Sequence, residues 1–393
     1  MPLKARQTVI LTLTGLVFVT AAFAAGFVAR GVVPLPGDSY QLVHEAHLLL
    51  EEHSLADLPT PIVLERGMIR GMLQEIGDPY TVYLEPEANE LQTDLLTGEY
   101  AGIGAVLSRD QSGRIRLVPF PNSPAAIAGV QEGDVLLGAD GQTFGPETSL
   151  EAVSAVLRGA ESTPVEIRIA PRRPGDPEVR LTILRRVFPL PSVAGYLLPD
   201  DPTVGVLAIT VFSDRTLQEI ETAYTNLSQR GARRYILDLR GNPGGLLDSG
   251  IATARYFLDS GVVVTEQQRD GVQQTVEVES PGPAAEVPLV VIVDGATASA
   301  AEIVAAALQE NGRAPLVGTT TYGKGSVQLI FELSDGSSLH VTSARWLTPA
   351  GEILDGVGLE PDIAVDPSAA ATGPDPFLAA AAEWLHAQTE VQP

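Results

Sequence analysis

The stretch that constrains this chain most runs from Val287 to Gln328. An apolar run, Val287-Pro-Leu-Val-Val-Ile-Val293, leads into Asp294-Gly-Ala-Thr-Ala-Ser299-Ala-Ala-Glu302, then a helix-like Ile303 to Leu308, then Tyr322-Gly-Lys324-Gly-Ser-Val-Gln328. A short unbroken apolar run bounded by turn residues is the pattern of a strand buried on both faces. The pattern predicts a strand that delivers a serine to the mouth of a helix, with a lysine returning on a later loop. That pairing points to a hydrolase.

A serine hydroxyl is a weak nucleophile until a neighbour removes its proton, and a lysine does so only when neutral. Desolvation makes an amine neutral near pH 7 by lowering its pKa from about 10.4. Tyr322, Val327 and the apolar strand behind Ser299 are expected to supply the dry setting. Gln328, four residues beyond Lys324 on the β-prone run Val327-Gln-Leu-Ile-Phe331, is expected to share a face with the amine and orient it. The helix start leaves backbone N–H groups unpaired, so the Ala300 amide is a ready oxyanion donor. A second donor is expected from the glycine-rich end of another apolar strand, Ile236-Leu-Asp-Leu-Arg-Gly-Asn-Pro-Gly244-Gly245, where the main chain can approach a substrate closely.

Those three segments, Thr-Ala-Ser299-Ala-Ala-Glu302, Tyr-Gly-Lys324-Gly-Ser-Val-Gln328 and Asp-Leu-Arg-Gly-Asn-Pro-Gly-Gly, together resemble the C-terminal processing peptidases, a serine peptidase family with a Ser-Lys-Gln arrangement. The resemblance extends from about Tyr40 to Val365. It implies Ser299 as nucleophile, Lys324 as general base and later acid, Gln328 as the residue that positions Lys324, and Ala300 with Gly244 as the oxyanion hole. Gly245 is the alternative to Gly244. The family pattern around the nucleophile is Asn-x-x-Ser-Ala-Ser-Ala-Ser-Glu; this chain carries Asp294, Thr297 and Ala301 at the asparagine, first-serine and last-serine positions. None of these is the nucleophile.

Several rival patterns fail on chemistry. Gly318-Thr-Thr-Thr-Tyr-Gly323-Lys324-Gly325 nearly spells a phosphate-binding loop, but the magnesium-holding Ser/Thr is Gly325 and the following residues read as a strand where that motif requires a helix. Gly102-Ile-Gly104 lacks the third glycine of a dinucleotide fingerprint. Five histidines offer no metal context: His44 and His47 share a helical spacing with no third ligand nearby. His340 is the one rival base to Lys324.

A formal charge of −24 argues against nucleic acid, since phosphate contacts need clustered Lys and Arg. The arginines between Arg168 and Arg186 are interrupted by acids and prolines and read as solvated strand edges. Absence of cysteine removes thiol chemistry, disulfides and cysteine-ligated zinc. No metal or organic cofactor is expected. Lys4 and Arg6 precede an uncharged apolar stretch, Thr8 to Ala29, long enough to span a bilayer. It predicts a single-pass anchor through residues 8–29 with the remainder extracytoplasmic, in the periplasm or at the exterior of a bacterial-type cell. Small residues at Ala21, Ala22, Ala24 and Ala25 leave open cleavage to a secreted form.

The expected architecture is multidomain, mixing α+β and α/β parts. An anchor or signal segment with its linker covers 1–37. A helical arm covers 38–97, with helices split at Pro59-Thr-Pro61. A block at 98–186 resembles a PDZ domain, and residues 187–365 alternate strand and helix as an α/β layer does. A linker and final helix cover 366–393. The family resemblance implies a crotonase-like, ClpP-related peptidase core and a PDZ loop, Gly102, Ile103 and Gly104, whose amides hold a terminal carboxylate; such glycines permit an anion nest. Partners implied are proteins or peptides with free C-termini, bound by strand addition. The arm is a candidate for homo-oligomerisation. Two other function classes compete: a catalytically inactive PDZ scaffold, and an acyl-thioester enzyme prompted by the crotonase-like core.

Overall fold

The computed structural model describes residues 40–172, 177–368 and 375–390. The expected anchor, 8–29, lies outside the described residues; among those described, no helix is long and apolar enough to cross a membrane. The chain divides into two compact units between Gly71 and Met72.

In the first unit, α1 (Gln41–His53) ends before the proline-bearing break, and α2 (Pro61–Ile76) starts there and runs past the boundary. Proline is favoured in a helix's first turn, where its missing N–H costs nothing. Neither helix buries a residue, so Leu42, Leu48, Leu49, Leu50 and Val63 are exposed. His47 faces Glu51 at 3.4 Å.

The second unit opens with β1 (Val82–Leu84) and α3 (Pro86–Thr97), which lead into a small sheet domain. There β2 (Glu99–Gly102) precedes β3 (Ala105–Arg109), β4 (Ile115–Pro119), α4 (Pro124–Ile127), β5 (Asp134–Ala139), β6 (Gln142–Thr143), α5 (Leu150–Leu157), β7 (Pro164–Ala170), β8 (Val179–Leu184) and β9 (Arg186–Pro189). The sheet order is β3-β4-β5-β7-β8, with β6 on β5 and a separate β2-β9 pair. Alternation along β4 and β7 turns Ile115, Leu117, Val165, Ile167 and Ile169 onto Leu136, Val153 and Leu157, as period-two burial requires. Arg168 and Arg180 pair with Glu178 and Glu166, whereas the Arg185 side chain is only 10% exposed and donates to the Val156 and Leu157 carbonyls, so it is not the solvated edge residue expected.

The remaining chain builds a layered body from β10 (Val193–Leu198), β11 (Asp201–Ile209), α6 (Thr216–Gln229), β12 (Arg234–Asp238), α7 (Leu247–Phe257), β13 (Val262–Gln268), β14 (Gln273–Glu277), β15 (Leu289–Val293), α8 (Ala300–Glu310), β16 (Leu316–Gly318), β17 (Ser326–Glu332), β18 (Ser338–Leu347), β19 (Ile363–Ala364) and α9 (Pro376–Glu390). The main sheet runs β10-β11-β12-β15-β16-β19; β10 is antiparallel and the other pairings are parallel. All five residues of β15 are buried. One face of this sheet packs on α6, α7 and the alanine-rich α8, and the other is covered by Phe377, Ala381 and Leu385 of α9. A second sheet, β1-β18-β13-β14 with β17 on β18, closes over the body. Arg215 reaches Glu99 at 2.6 Å and the Asp214 amide donates to Leu96 O at 2.9 Å, tying the small domain's entrance to the body. The fold is multidomain α+β.

Three loops leave the carboxyl ends of the neighbouring parallel strands β12, β15 and β16, and they carry Gly244, Ser299 and Lys324 respectively. The carboxyl edge of a parallel sheet is where open α/β folds place their sites.

Candidate active site

After β15 the chain makes a tight turn set by Asp294 and Thr297, two of the three residues that depart from the family pattern. Thr297, fully buried, donates its hydroxyl to Leu239 O at 2.9 Å and accepts from the Asp294 amide at 2.9 Å. The Asp294 carboxylate accepts from the amides of Ala296 and Gly241, both at 3.0 Å. The Asp/Thr pair thus closes its own network and pins the Gly241 loop to the serine turn. Ser299 then takes φ 56° and ψ −121°, a backbone region costly for any residue with a Cβ and found where a surrounding structure enforces it. Its side chain stands at the junction of strand and helix, where the α/β-hydrolases place their nucleophile.

The residue that fixes this junction is Glu302, whose role the sequence reading left unassigned. It is 0% exposed. Its Oε2 accepts from the Ser299 amide at 2.9 Å and the Lys324 amide at 2.8 Å, and its Oε1 accepts from the Gly323 amide at 2.7 Å and the Thr321 hydroxyl at 2.5 Å. A buried carboxylate is tolerated when donors satisfy its lone pairs. Glu302 has four, and they belong to the serine turn and the lysine loop together.

From that loop the Lys324 amine donates to Gln328 Oε1 at 2.8 Å, and Gln328 Nε2 donates to Tyr80 O. The Lys324 carbonyl accepts from Trp346 Nε1 at 3.0 Å. A register shift between Val327 and Gln328 interrupts the β17-β18 ladder; such a bulge re-aims a side chain, and here it accompanies Gln328's approach to the amine. Burial holds the Lys324 ammonium below the usual lysine range. Of the drying groups expected, Val327 packs against the core and the strand before Ser299 is buried, but the Tyr322 ring is 58% exposed. The loop uses the Tyr322 backbone, whose N–H donates to Thr297 O at 3.0 Å. The Tyr80 ring instead lies 5.8 Å from the amine. Among the described residues, no hydrogen bond joins the Ser299 hydroxyl to Lys324.

Gly244 lies against the serine: a Cβ built on it meets Ser299 Cβ at 2.7 Å and the Ala300 nitrogen at 3.1 Å. Its own amide donates to Asn242 Oδ1 at 2.9 Å, and the Asn242 carbonyl accepts from Ala298. The Gly244 N–H must therefore share or leave that acceptor to meet an oxyanion. Among the described residues, the Ala300 and Gly245 amides have no such acceptor. Gly244 also has φ 102°. Gly244→Ala is expected to lower peptide hydrolysis by about a hundredfold or more, because a methyl group there would strike Ser299 Cβ and the Ala300 nitrogen; assay of the purified variant, with circular dichroism to verify the fold, checks this.

The ring of His340, the rival base, is engaged by a serine of its own strand. Its Nε2 lies 3.1 Å from Ser338 Oγ, and burial, then the Lys324 charge, holds its imidazole below the usual range. In the small domain the carbonyls of Ile103 and Gly104 accept from Ala125 and Phe120, both at 2.9 Å, and Gly102 pairs with Arg186 in the β2-β9 ladder. Gly104 has φ 75°, and a Cβ on it would meet Phe188 at 2.5 Å and Ser123 at 2.6 Å, so only glycine fits. The loop carbonyls are thereby tied inward.

One signal in the sequence marks Lys324 strongly: it and Lys4 are the only lysines among 25 basic side chains. Arginine, which cannot give up its proton in a protein, serves wherever charge alone is needed.

Residues 203–365 match the model of peptidase family S41, and residues 119–171 match that of the PDZ domain. The chain is 37% identical over 299 residues to the carboxy-terminal processing protease CtpA of Bacillus subtilis, covering 76% of this chain and 63% of that protein. It is 37% identical over 305 residues to the carboxyl-terminal-processing protease of Synechocystis, covering 76% of this chain and 70% of that protein. The chain thus spans less than two thirds of the length of the Bacillus relative. A solved structure titled photosystem II D1 C-terminal processing protease superimposes with a TM-score of 0.47 at 30% identity, covering 84% of this chain and 88% of that one. From the Synechocystis relative and the two family models together, the chain belongs to the carboxyl-terminal processing proteases of peptidase family S41.

Proposed function

We propose that this protein is an exported serine endopeptidase that captures a polypeptide's carboxyl end in its PDZ domain and cuts upstream through an acyl-enzyme intermediate. The observation that carries the reading is the half-buried Lys324 amine, oriented by Gln328, on a loop that Glu302 bonds to the serine turn. Neutral Lys324 takes the Ser299 proton as Oγ attacks the scissile carbonyl carbon. The resulting oxyanion is stabilised by the Ala300 N–H and by the Gly244–Gly245 turn. Protonated Lys324 then gives its proton to the departing amine. A water, deprotonated by the same amine, attacks the ester and frees Ser299.

A cleft of about 1060 Å³, lined by Leu246, Leu247, Gln328 and Leu329 among others, supplies room for an extended chain beside these residues. The PDZ role is supported by the tied-back carbonyls of Ile103 and Gly104, which leave the loop's other polar groups for a carboxylate. Export rests on the apolar stretch 8–29, and the uncovered leucines of α1 are the surface through which two copies would associate.

A second reading, an inactive peptide-binding scaffold, draws on the Gly244 amide being engaged by Asn242 and on the unmade Ser299–Lys324 bond. Incubating the purified full chain with an unfolded protein, followed by intact-mass analysis, separates the two. Fragments with new carboxyl ends, absent with Ser299→Ala although the tail is still bound, are the expected result. Capture without fragments by the unmutated protein establishes the scaffold.

A further inference from the structure

We propose that Tyr80 is a positioning residue for the general base, bracing the Lys324–Gln328 pair with its carbonyl and its ring; this rests on Lys324 being the base, as proposed above. The Tyr80 carbonyl accepts from Gln328 Nε2, which leaves Gln328 Oε1 directed at the amine. An amide side chain has an NH2 end and an oxygen end; with Nε2 committed to a carbonyl, the oxygen end is the one the amine meets. The Tyr80 ring presents its face 5.8 Å from the amine, within cation–π range. Its hydroxyl lies beside the Asp355 carboxylate, whose Oδ1 accepts from the Gly325 amide at 3.2 Å. One residue therefore addresses both the amine and the glutamine that orients it.

Tyr80 is itself held. The Asp78 carboxylate accepts from the Tyr80 amide at 3.0 Å and from the Thr81 hydroxyl at 2.6 Å, and Thr81 Oγ1 accepts from the Thr342 amide at 3.1 Å. The turn thus docks on β18 one residue before β1 pairs with it. The short Asp-Pro-Tyr-Thr motif reads in sequence as a connector; in the fold it is a bracket reaching across 248 positions to Gln328.

The ring's negative face favours the ammonium, whereas burial favours the free amine, so the two set the base's protonation in opposition. The other titratable groups around the amine are His340 on β18 and Tyr322 in the loop. Glu302 on α8 and Asp355 before Gly356 meet the loop through its amides. Burial, then Asp355, pushes the Tyr80 phenol up to about 12, so it stays neutral across the working range.

The test replaces Tyr80 by Phe and then by phenylalanines bearing one, two and three ring fluorines, which keep the shape while draining charge from the face. Two readouts are followed: the acid limb of kcat/KM against pH, and the pH titration of the Lys324 ε-carbon by NMR in full chain carrying Ser299→Ala. Tyr80→Phe should leave the limb in place. Across the fluorine series both readouts should move steadily to lower pH, by about half a unit in all. A flat series, or one moving to higher pH, overturns the inference. Lys324→Ala in the unsubstituted protein is the control: if it retains turnover, the proposed function fails, whereas a dead Lys324→Ala with a flat series removes the Tyr80 role alone.

Discussion

Ser299→Ala and Lys324→Ala should each lower turnover of a tailed substrate by on the order of 10⁴-fold to 10⁶-fold, the range seen when members of an interdependent catalytic set are removed. The double variant should be hardly worse than either single one, because base and nucleophile act in the same step. Lys324→Arg should be equally inactive. It preserves length and charge but cannot become neutral, and a base that cannot lose its proton cannot accept one. Tail binding, which we assign to the small domain, should persist in all of them, so fluorescence anisotropy with a labelled carboxyl-terminal peptide separates capture from cutting. Hydrolysis surviving in a pure Ser299→Ala preparation would remove the nucleophile from the account.

The second large effect is expected at Glu302. Glu302→Ala leaves three amides and a hydroxyl without their acceptor in a site that excludes water, a loss of about 3–5 kcal/mol in stability. Glu302→Gln is the more informative change. It keeps the volume, but its NH2 must face either the Ser299 and Lys324 amides or the Gly323 amide, and no N–H can accept a hydrogen bond. At least one donor is therefore opposed in either orientation. Turnover should fall by about tenfold to a thousandfold, with a lowered Tm, because the serine turn and the lysine loop lose their common anchor. Denaturant melts and kcat on the same preparation measure both. Glu302→Gln at full kcat would show that the serine and lysine are aligned by something else.

Much of the scaffold behind these residues was legible because burial writes itself into periodicity. The five apolar residues of β15, the alternation in β4 and β7, and the alanine-rich run that becomes α8 could be read directly, and the serine between them fell at the strand-to-helix junction. The contents of the site were less so. Nothing in Ala-Ser-Ala declares a positive φ at Ser299, since that strain is imposed by the Asp294–Thr297 turn on one side and Glu302 on the other. Gln328's approach to the amine accompanies a bulge, which sequence spacing does not reveal. Tyr80 and Gln328 meet only because β1 joins β18. Tyr322 was read as a shield because it is aromatic and adjacent, yet adjacency in the chain did not decide which way its ring would face.

Catalysis as proposed requires a neutral Lys324 amine, and the chain's lack of other lysines beyond Lys4 makes its protonation directly measurable. Lysine labelled at the ε-carbon gives at most two resonances, and Lys324→Arg assigns the one that matters. Burial lowers this amine's pKa, so its resonance should titrate below the ordinary value of about 10.4. Activity should rise with pH through that same titration, because the unprotonated fraction is the competent one. An amine that stays cationic until about pH 10 in an enzyme turning over at neutral pH would contradict the account.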